Sequence, residues 1–179
     1  TPNPVLDLTL TVPRILFNEM TRAADVRQDW GGKGFNVSRA LQALGIPSRA
    51  MGFLGGATGH KLEVGLQALG IEIAPVAIAG ETRTNIVIAE SDDARYVKVN
   101  QVGPTLQPEE VDRCLAQVKD RAGAGDWWAL CGSLPPGAPP DFYLQVTSLI
   151  QAGGGRVVLD ASGEPLRLGI GAGPDWIKP

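Results

Sequence analysis

The stretch that most constrains this chain is Trp30-Gly31-Gly32-Lys33-Gly34-Phe35-Asn36-Val37, a glycine run that carries one lysine and opens at once into a helical pattern. Val37, Ala40, Leu41 and Leu44 recur at helical spacing, and Gly45 stops the pattern. No Ser, Thr or Asp stands just before the helix to cap its free N–H groups. Those donors, the helix dipole and the Lys33 ammonium together suit an anion, and the glycines let it lie against the backbone. The stretch is therefore read as a phosphate site, with a tight turn bearing a surface lysine as the plain alternative. Two other phosphate loops are excluded. A P-loop needs Ser or Thr after its Gly-Lys, where Gly34 stands, and a dinucleotide fingerprint needs a third glycine where Val37 stands.

The chain has 179 residues, 44% of them hydrophobic, enough for one ordinary globular domain with a sizeable core. Its formal net charge is -3 and it has no long basic run, so neither nucleic acid nor an anionic membrane surface is an expected partner. No apolar run spans a bilayer and no signal peptide opens the chain. Cys114 and Cys131 read as buried free thiols in a reducing, cytoplasmic compartment, with a disulfide as the alternative. His60 is the only histidine, which excludes a multi-histidine metal site and leaves it a surface or helix-start residue. Thr1-Pro2-Asn3-Pro4 and Trp176-Ile177-Lys178-Pro179 read as cut ends, the latter a strand that has just reached its loop.

Residues Val5 to Val12 alternate loosely and read as a strand with one polar face. Asp7 interrupts it, either as a solvated residue or as an acceptor for a sugar hydroxyl. Arg22 and Arg27 read as a solvated face, with Arg22 the better placed to reach inward. Ala50 to Leu54 reads as an apolar strand, Gly55-Gly56-Ala57-Thr58-Gly59 as a second glycine loop, and Leu62, Leu66 and Leu69 as one face of a helix stopped by Gly70. Such a strand-loop-helix unit is the repeating piece of an α/β fold. Ile71 to Val99 lacks helical periodicity and reads as antiparallel strands standing apart from the parallel sheet, with a turn at Ser91-Asp92-Asp93-Ala94. Arg83, at the entry of that region, reads from the residues alone as an exposed strand-end arginine.

From Pro108 the α/β rhythm returns. Pro108, Glu109 and Glu110 suit a first helical turn, and Val111, Cys114, Leu115 and Val118 form the apolar stripe. Trp127 to Cys131 reads as a parallel strand buried on both faces, followed by the loop Gly132-Ser133-Leu134-Pro135-Pro136-Gly137. Ligands bind at that carboxyl edge in open α/β sheets, and Ser133 is placed to donate there. Phe142, Val146, Leu149 and Ile150 mark another helix, and Val157-Val158-Leu159 another buried strand ending at Asp160-Ala161-Ser162-Gly163-Glu164. The whole reads as a single α/β domain with a small antiparallel β appendage.

Asn3-Pro4 with Asp7, the run Gly31 to Val37 with Arg39-Ala40-Leu41, Thr82-Arg83-Thr84-Asn85, Gly132 to Gly137 and Asp160 to Glu164 occur in the order and spacing of a known family. Together they resemble the PfkB branch of the ribokinase-like sugar kinases, closest to 1-phosphofructokinases and tagatose-6-phosphate kinases. The resemblance implies a three-layer α/β/α sandwich with a small antiparallel β-lid, its segments at about residues 8–30 and 71–100 inserted in the core of one domain. It implies that Asp7 holds sugar hydroxyls, that Gly32, Lys33, Asn36 and Arg83 gather the substrate and its phosphate, and that Ser133 touches it from the sheet edge. It implies ATP with Mg2+ as phosphoryl donor, Lys178 near the nucleotide, and a homodimer through the lid. The acceptor implied is a phosphorylated ketohexose: fructose 1-phosphate first, then tagatose 6-phosphate or fructose 6-phosphate.

One element of the family's pattern has no match. The family's base is an aspartate in a Gly-Ala-Gly-Asp run that opens a helix far downstream. Gly123-Ala124-Gly125-Asp126 repeats the letters but precedes an apolar strand, so it reads as a turn. The base is then expected beyond Pro179, and the chain alone is expected to be inactive. The competing reading is a non-catalytic sugar-phosphate-binding module or degenerate kinase.

Overall fold

The structure, a computed structural model, describes residues 1–92 and 95–179. Its strands are β1 (Val5–Val12), β2 (Asp25–Gly31), β3 (Arg49–Leu54), β4 (Glu72–Ala77), β5 (Arg83–Glu90), β6 (Tyr96–Val99), β7 (Trp127–Cys131), β8 (Arg156–Asp160) and β9 (Trp176–Lys178). Its helices are α1 (Lys33–Ala43), α2 (Gly56–Ala68), α3 (Pro108–Arg121), α4 (Phe142–Ala152) and α5 (Gly163–Gly169).

Two sets of parallel strands form the middle layer. β3 pairs with β4, and β7, β8 and β9 pair in that order. Side chains on β3 alternate between two cores, as the period of a strand requires. Ala50 and Leu54 pack with Phe35 of α1 and with Leu62 and Leu66 of α2. Phe53 faces the other way, into a core with Val111, Cys114 and Val118 of α3 and Phe142, Tyr143, Val146 and Ile150 of α4. Helices therefore cover both faces, giving the three layers expected.

A separate four-stranded sheet runs in the order β2-β1-β5-β6. It corrects the antiparallel grouping of Ile71 to Val99 in two ways. β4 leaves that group and pairs in parallel with β3, Ala50 opposite Ile73 and Phe53 opposite Val76. β5 pairs antiparallel with β6 but parallel with β1, Asp7 opposite Asn85, so the sheet is mixed. Alternation within a strand marks its buried face but carries no record of its neighbour, which is why the grouping failed. Of the expected turn at Ser91-Asp92-Asp93-Ala94, residues 93 and 94 lie outside the described residues.

Other differences have local causes. Asp25 to Gly31 is a strand whose first four residues are exposed, so no apolar alternation announces it. Arg22 is exposed and does not reach inward, and Arg27 pairs with Asp29 at 2.8 Å. Most of the second glycine loop is the first turn of α2. The Glu81 carboxylate accepts from Ala57 N–H at 3.2 Å and Thr58 N–H at 2.7 Å, a cap supplied from elsewhere in the chain. The stripe read on α1 is not its buried face: Phe35 and Ser38 are buried, whereas Val37 is 38% and Leu44 74% exposed. β7 is not buried on both faces either, for Trp127 is 53% exposed with Arg156 stacked 5.4 Å from its ring.

Among the described residues, no helix is long and apolar enough to cross a membrane. α3 begins at Pro108 with a capping box, as its sequence indicates, and its Glu110 does more than cap. Buried, it accepts from Gln107 N–H at 2.9 Å and from Ala79 N–H at 2.7 Å, which ties α3 to the end of β4. Glu110→Ala strands two backbone donors, and a loss of roughly 1–3 kcal/mol in unfolding free energy is expected from urea titration.

Candidate active site

The sequence-derived residues converge where the parallel strands end and the mixed sheet begins. β2 delivers the chain to Gly32, whose φ of 124° is open to glycine and strained for other residues. α1 then starts with no side-chain cap, so its first N–H groups are available to an anion. Gly32 O accepts from Asn36 N–H at 2.9 Å, which fixes the first turn and places Asn36 on its exposed side. A Cβ on Gly32 would lie 2.8 Å from Thr1 Cγ2, and one on Gly34 would collide with Thr1 Oγ1. These glycines are required by the close approach of the Thr1–Pro4 segment.

Lys33 is not free. Its Nζ donates to Asp160 Oδ1 at 2.7 Å, and Lys178 Nζ lies 3.3 Å from Asp160 Oδ2. One carboxylate at the end of β8 thus holds two lysines, one from α1 and one from β9. Burial pushes the Asp160 carboxyl up, but the hydrogen bonds and charges of both lysines outweigh it and hold the pKa below the ordinary carboxylate value. The Asp160 side chain is 16% exposed, while Lys33 and Lys178 are 53% and 68% exposed. The lysines can therefore turn outward at small cost.

Asp7 and Arg83 enter from the mixed sheet. Asp7 Oδ1 accepts from Asn85 Nδ2 at 3.0 Å, its partner across the β1–β5 register. Arg83 donates to Gln101 O at 2.9 Å and to Asn3 O at 3.1 Å, so much of its fork is spent on backbone, contrary to the exposed strand-end reading. Burial lowers its pKa, opposed by the charge of Asp7. Asn3 Nδ2 donates to Val102 O at 2.9 Å and reaches Ser133 Oγ at 3.4 Å. Asn3 Oδ1, Asn85 Oδ1 and Arg83 Nε are buried without a partner. Unpaired buried polar atoms are costly; Asn85 hydrogen-bonds Asp7, Arg83 feels its charge, and Asn3 Oδ1 stands against Gly103.

The structure thus brings Arg83 and Ser133 to Asn3, Asp7 to Asn85 near Arg83, and Lys33 and Lys178 to Asp160. Gly132 joins the two groups, since a Cβ there would stand 4.0 Å from Lys33 Cβ. Asn3, Asn85 and Asp160 were not assigned roles from sequence. Asp160 carried the one available signal, a charge at the carboxyl end of a buried parallel strand. Asp126 stands at the other end of the sheet. It precedes β7, and its carboxylate accepts from Gly123 N–H at 3.2 Å in a turn. Both cysteines are free and buried, and burial pushes the Cys114 thiol up to about 11, so neither is a ready nucleophile.

An uncapped helix start, the Lys33–Asp160 pair and the polar cluster around Asn3 thus lie along one edge of an α/β/α sandwich. Residues 3–179 match the pfkB family carbohydrate kinases, and the chain belongs to that family. It is 35% identical over 178 residues to the 1-phosphofructokinase of Rhodobacter capsulatus, covering 99% of this chain and 56% of the relative. It is 34% identical over 167 residues to ATP-dependent 6-phosphofructokinase isozyme 2 of Mycobacterium tuberculosis, covering 93% and 49%. Phosphofructokinase-2 of Escherichia coli, solved in a tetrameric inhibited form and in complex with fructose-6-phosphate, superposes with a TM-score of 0.89 in both at 30% identity, covering 97% of this chain and 57% of that one. The chain spans about half the length of the curated relatives it matches.

Because the folded-state pKa of Asp160 is depressed, its stabilising effect is present above the unfolded value of about 3.9 and lost as pH falls through the folded value. Asp160→Asn should show a smaller drop in urea midpoint between about pH 7 and pH 3 than the parent chain. An equal drop would mean that the two lysines do not hold this carboxylate.

Proposed function

We propose that the polypeptide carrying this chain is an ATP-dependent sugar-phosphate kinase acting on a phosphorylated ketohexose, fructose 1-phosphate first, with tagatose 6-phosphate and fructose 6-phosphate as the next candidates. The observation that carries it is the uncapped start of α1 with Lys33 on one side and Asp7 with its unpaired neighbours on the other. The sugar's ester phosphate takes the free N–H groups at the start of α1, Gly32–Phe35, with the Asn36 side chain beside them, and draws Lys33 from Asp160. Asp7 accepts from sugar hydroxyls, Asn3 and Asn85 complete their hydrogen bonds on the ring, and Ser133 and Arg83 border it.

Bound Mg2+-ATP supplies the phosphoryl group. Lys178 is the group of this chain placed to balance nucleotide charge, with Asp160 behind it. The described residues gather no set of three acidic, His or Cys side chains for a metal, which fits an ion held mainly by phosphates and water. Catalysis rests on position and charge, and the proton-accepting base comes from residues outside 1–179, since Asp126 faces away at the opposite edge. The fragment 1–179 alone gives no turnover of ATP in a coupled assay, and ordinary turnover would place a base among these residues.

The mixed sheet serves as a lid and as a homodimer surface in a cytoplasmic enzyme. Tyr96, Val97 and Val99 of β6 and Val26 of β2 are exposed apolar residues on its edge strands. The deciding test is a substrate panel on the longer polypeptide with Lys33→Met beside it. The variant should raise KM for the preferred sugar phosphate about 10- to 100-fold, the worth of a charge-assisted hydrogen bond, and leave KM for ATP nearly unchanged. Equal effects on both KM values would remove Lys33 from the sugar-phosphate site.

A further inference from the structure

Tyr143 is the largest fully buried side chain among the described residues, and it carries a hydroxyl into the core. It lies in α4 with its ring 6.0 Å from that of Phe142, and a Cβ on Gly169 of α5 would stand 3.2 Å from its own Cβ. A buried hydroxyl costs free energy unless it finds a partner. This one donates to Gly132 O at 2.8 Å, in the loop that leaves β7. We infer that Tyr143 is a positioning residue: by holding Gly132 O it turns the Gly132–Ser133 peptide so that Ser133 N–H, beside the Ser133 hydroxyl, is presented to the ester phosphate of the sugar. The inference rests on the function proposed above and adds to it the group that aims Ser133.

The two peptides that meet at Gly132 are held separately. Gly132 N–H donates to Asp160 O at 2.8 Å and continues the pairing of β7 with β8, which fixes the first peptide. The second leaves the sheet, because Gly132 has a φ of 100°, a conformation strained for other residues. Among the described residues the Tyr143 hydroxyl is the donor to its oxygen. The peptide is trans, so its C=O and N–H point in opposite directions. With the oxygen drawn toward α4, Ser133 N–H points away from α4.

That N–H is free for a ligand. Ser133 is exposed, and its N–H has no hydrogen-bond partner among the described residues. Ser133 Oγ lies 3.4 Å from Asn3 Nδ2, and a Cβ on Gly132 would stand 4.0 Å from Lys33 Cβ. The residue therefore sits between the ammonium assigned to the ester phosphate and the Asn3 side chain assigned to the ring. Its N–H and hydroxyl are two donors on one residue, a pairing that suits the oxygens of a phosphate. The Tyr143 hydroxyl in turn suits a fixed donor. Burial pushes its pKa far up, and the charges of Cys131 and Asp160 push the same way, so it keeps its proton near neutral pH.

The test uses the longer polypeptide and compares Tyr143→Phe with Phe142→Leu, a change in the same core that leaves the bond to Gly132 in place. Urea midpoints are read beside KM for the preferred sugar phosphate and for ATP. Tyr143→Phe should raise KM for the sugar phosphate about 10-fold, the worth of one hydrogen bond to a charged group, with KM for ATP within about 2-fold and kcat little changed. Phe142→Leu should lower the urea midpoint and leave both KM values where they are. With serine labelled by 15N, the sugar phosphate should move the Ser133 amide proton downfield in the parent and clearly less in Tyr143→Phe. The inference is overturned by an unchanged KM in Tyr143→Phe, by an equal rise in KM for ATP, by the same rise in Phe142→Leu, or by a Ser133 amide that the sugar phosphate does not move. Failure of Tyr143→Phe to fold also overturns it, as the mark of a purely structural side chain. A parent that phosphorylates no sugar phosphate in the panel would instead overturn the function proposed above, and this inference with it.

Discussion

The Lys33–Asp160 bond is the interaction on which the proposed site depends, because it ties the start of α1 to the end of β8. Lys33 opens α1, which packs with β2, β3 and β7; Asp160 ends β8, the neighbour of β7. A bond between a half-exposed lysine and a mostly buried carboxylate is worth little in net stability, since solvent competes for the ammonium. That weakness suits the exchange of partners that the proposed phosphate site asks of Lys33. A phosphate dianion at the start of α1 offers Lys33 a stronger attraction than one carboxylate does, and Lys178 keeps Asp160 from being left uncompensated.

The second half of the site is set by register. β1 and β5 run side by side in parallel, with Asp7 opposite Asn85, so their side chains fall on the same face at the same height. A slip of one residue would turn both away. On the other flank of β1, Asp7 lies opposite Asp29 of β2, and a Cβ on Gly31 would collide with its Oδ2. Gly31 thus gives Asp7 room, while Gly32 gives the chain its turn into α1. Adjacent glycines serve two purposes, one steric and one conformational.

How much of this was readable follows from which signals are local. Pro108 with its two glutamates, the stop at Gly70 and the apolar run at Val157 to Leu159 state their elements in a few residues, and the structure has each where expected. The uncapped start of α1 was legible for the same reason, as an absence within a short window. β2 was not, because its residues are mostly exposed and polar. The pairing of β4 with β3 was not, because a partner is a long-range fact. The Lys33–Asp160 contact joins residues 127 positions apart, and neither residue type announces the other. Convergence of Asp7, Arg83 and Ser133 came from a resemblance of motifs in order; periodicity alone would have left them scattered.

Asp126 and Asp160 show why position outranks motif. Each lies at an end of a parallel strand next to its neighbour's, yet Asp126 precedes β7 and Asp160 closes β8. The α1 terminus and both lysines lie where β8 finishes, so the carboxylate there meets positive charge. At the opposite edge the chain only turns, and Asp126 binds the backbone of its own turn at Gly123. A glycine-rich run ending in aspartate carries chemistry only when a helix starts from it and aims its N–H groups at a substrate. Asp126 is followed instead by Trp127, with its carbonyl bonded to Arg156 N–H at 2.8 Å, so its backbone is already committed to strand pairing.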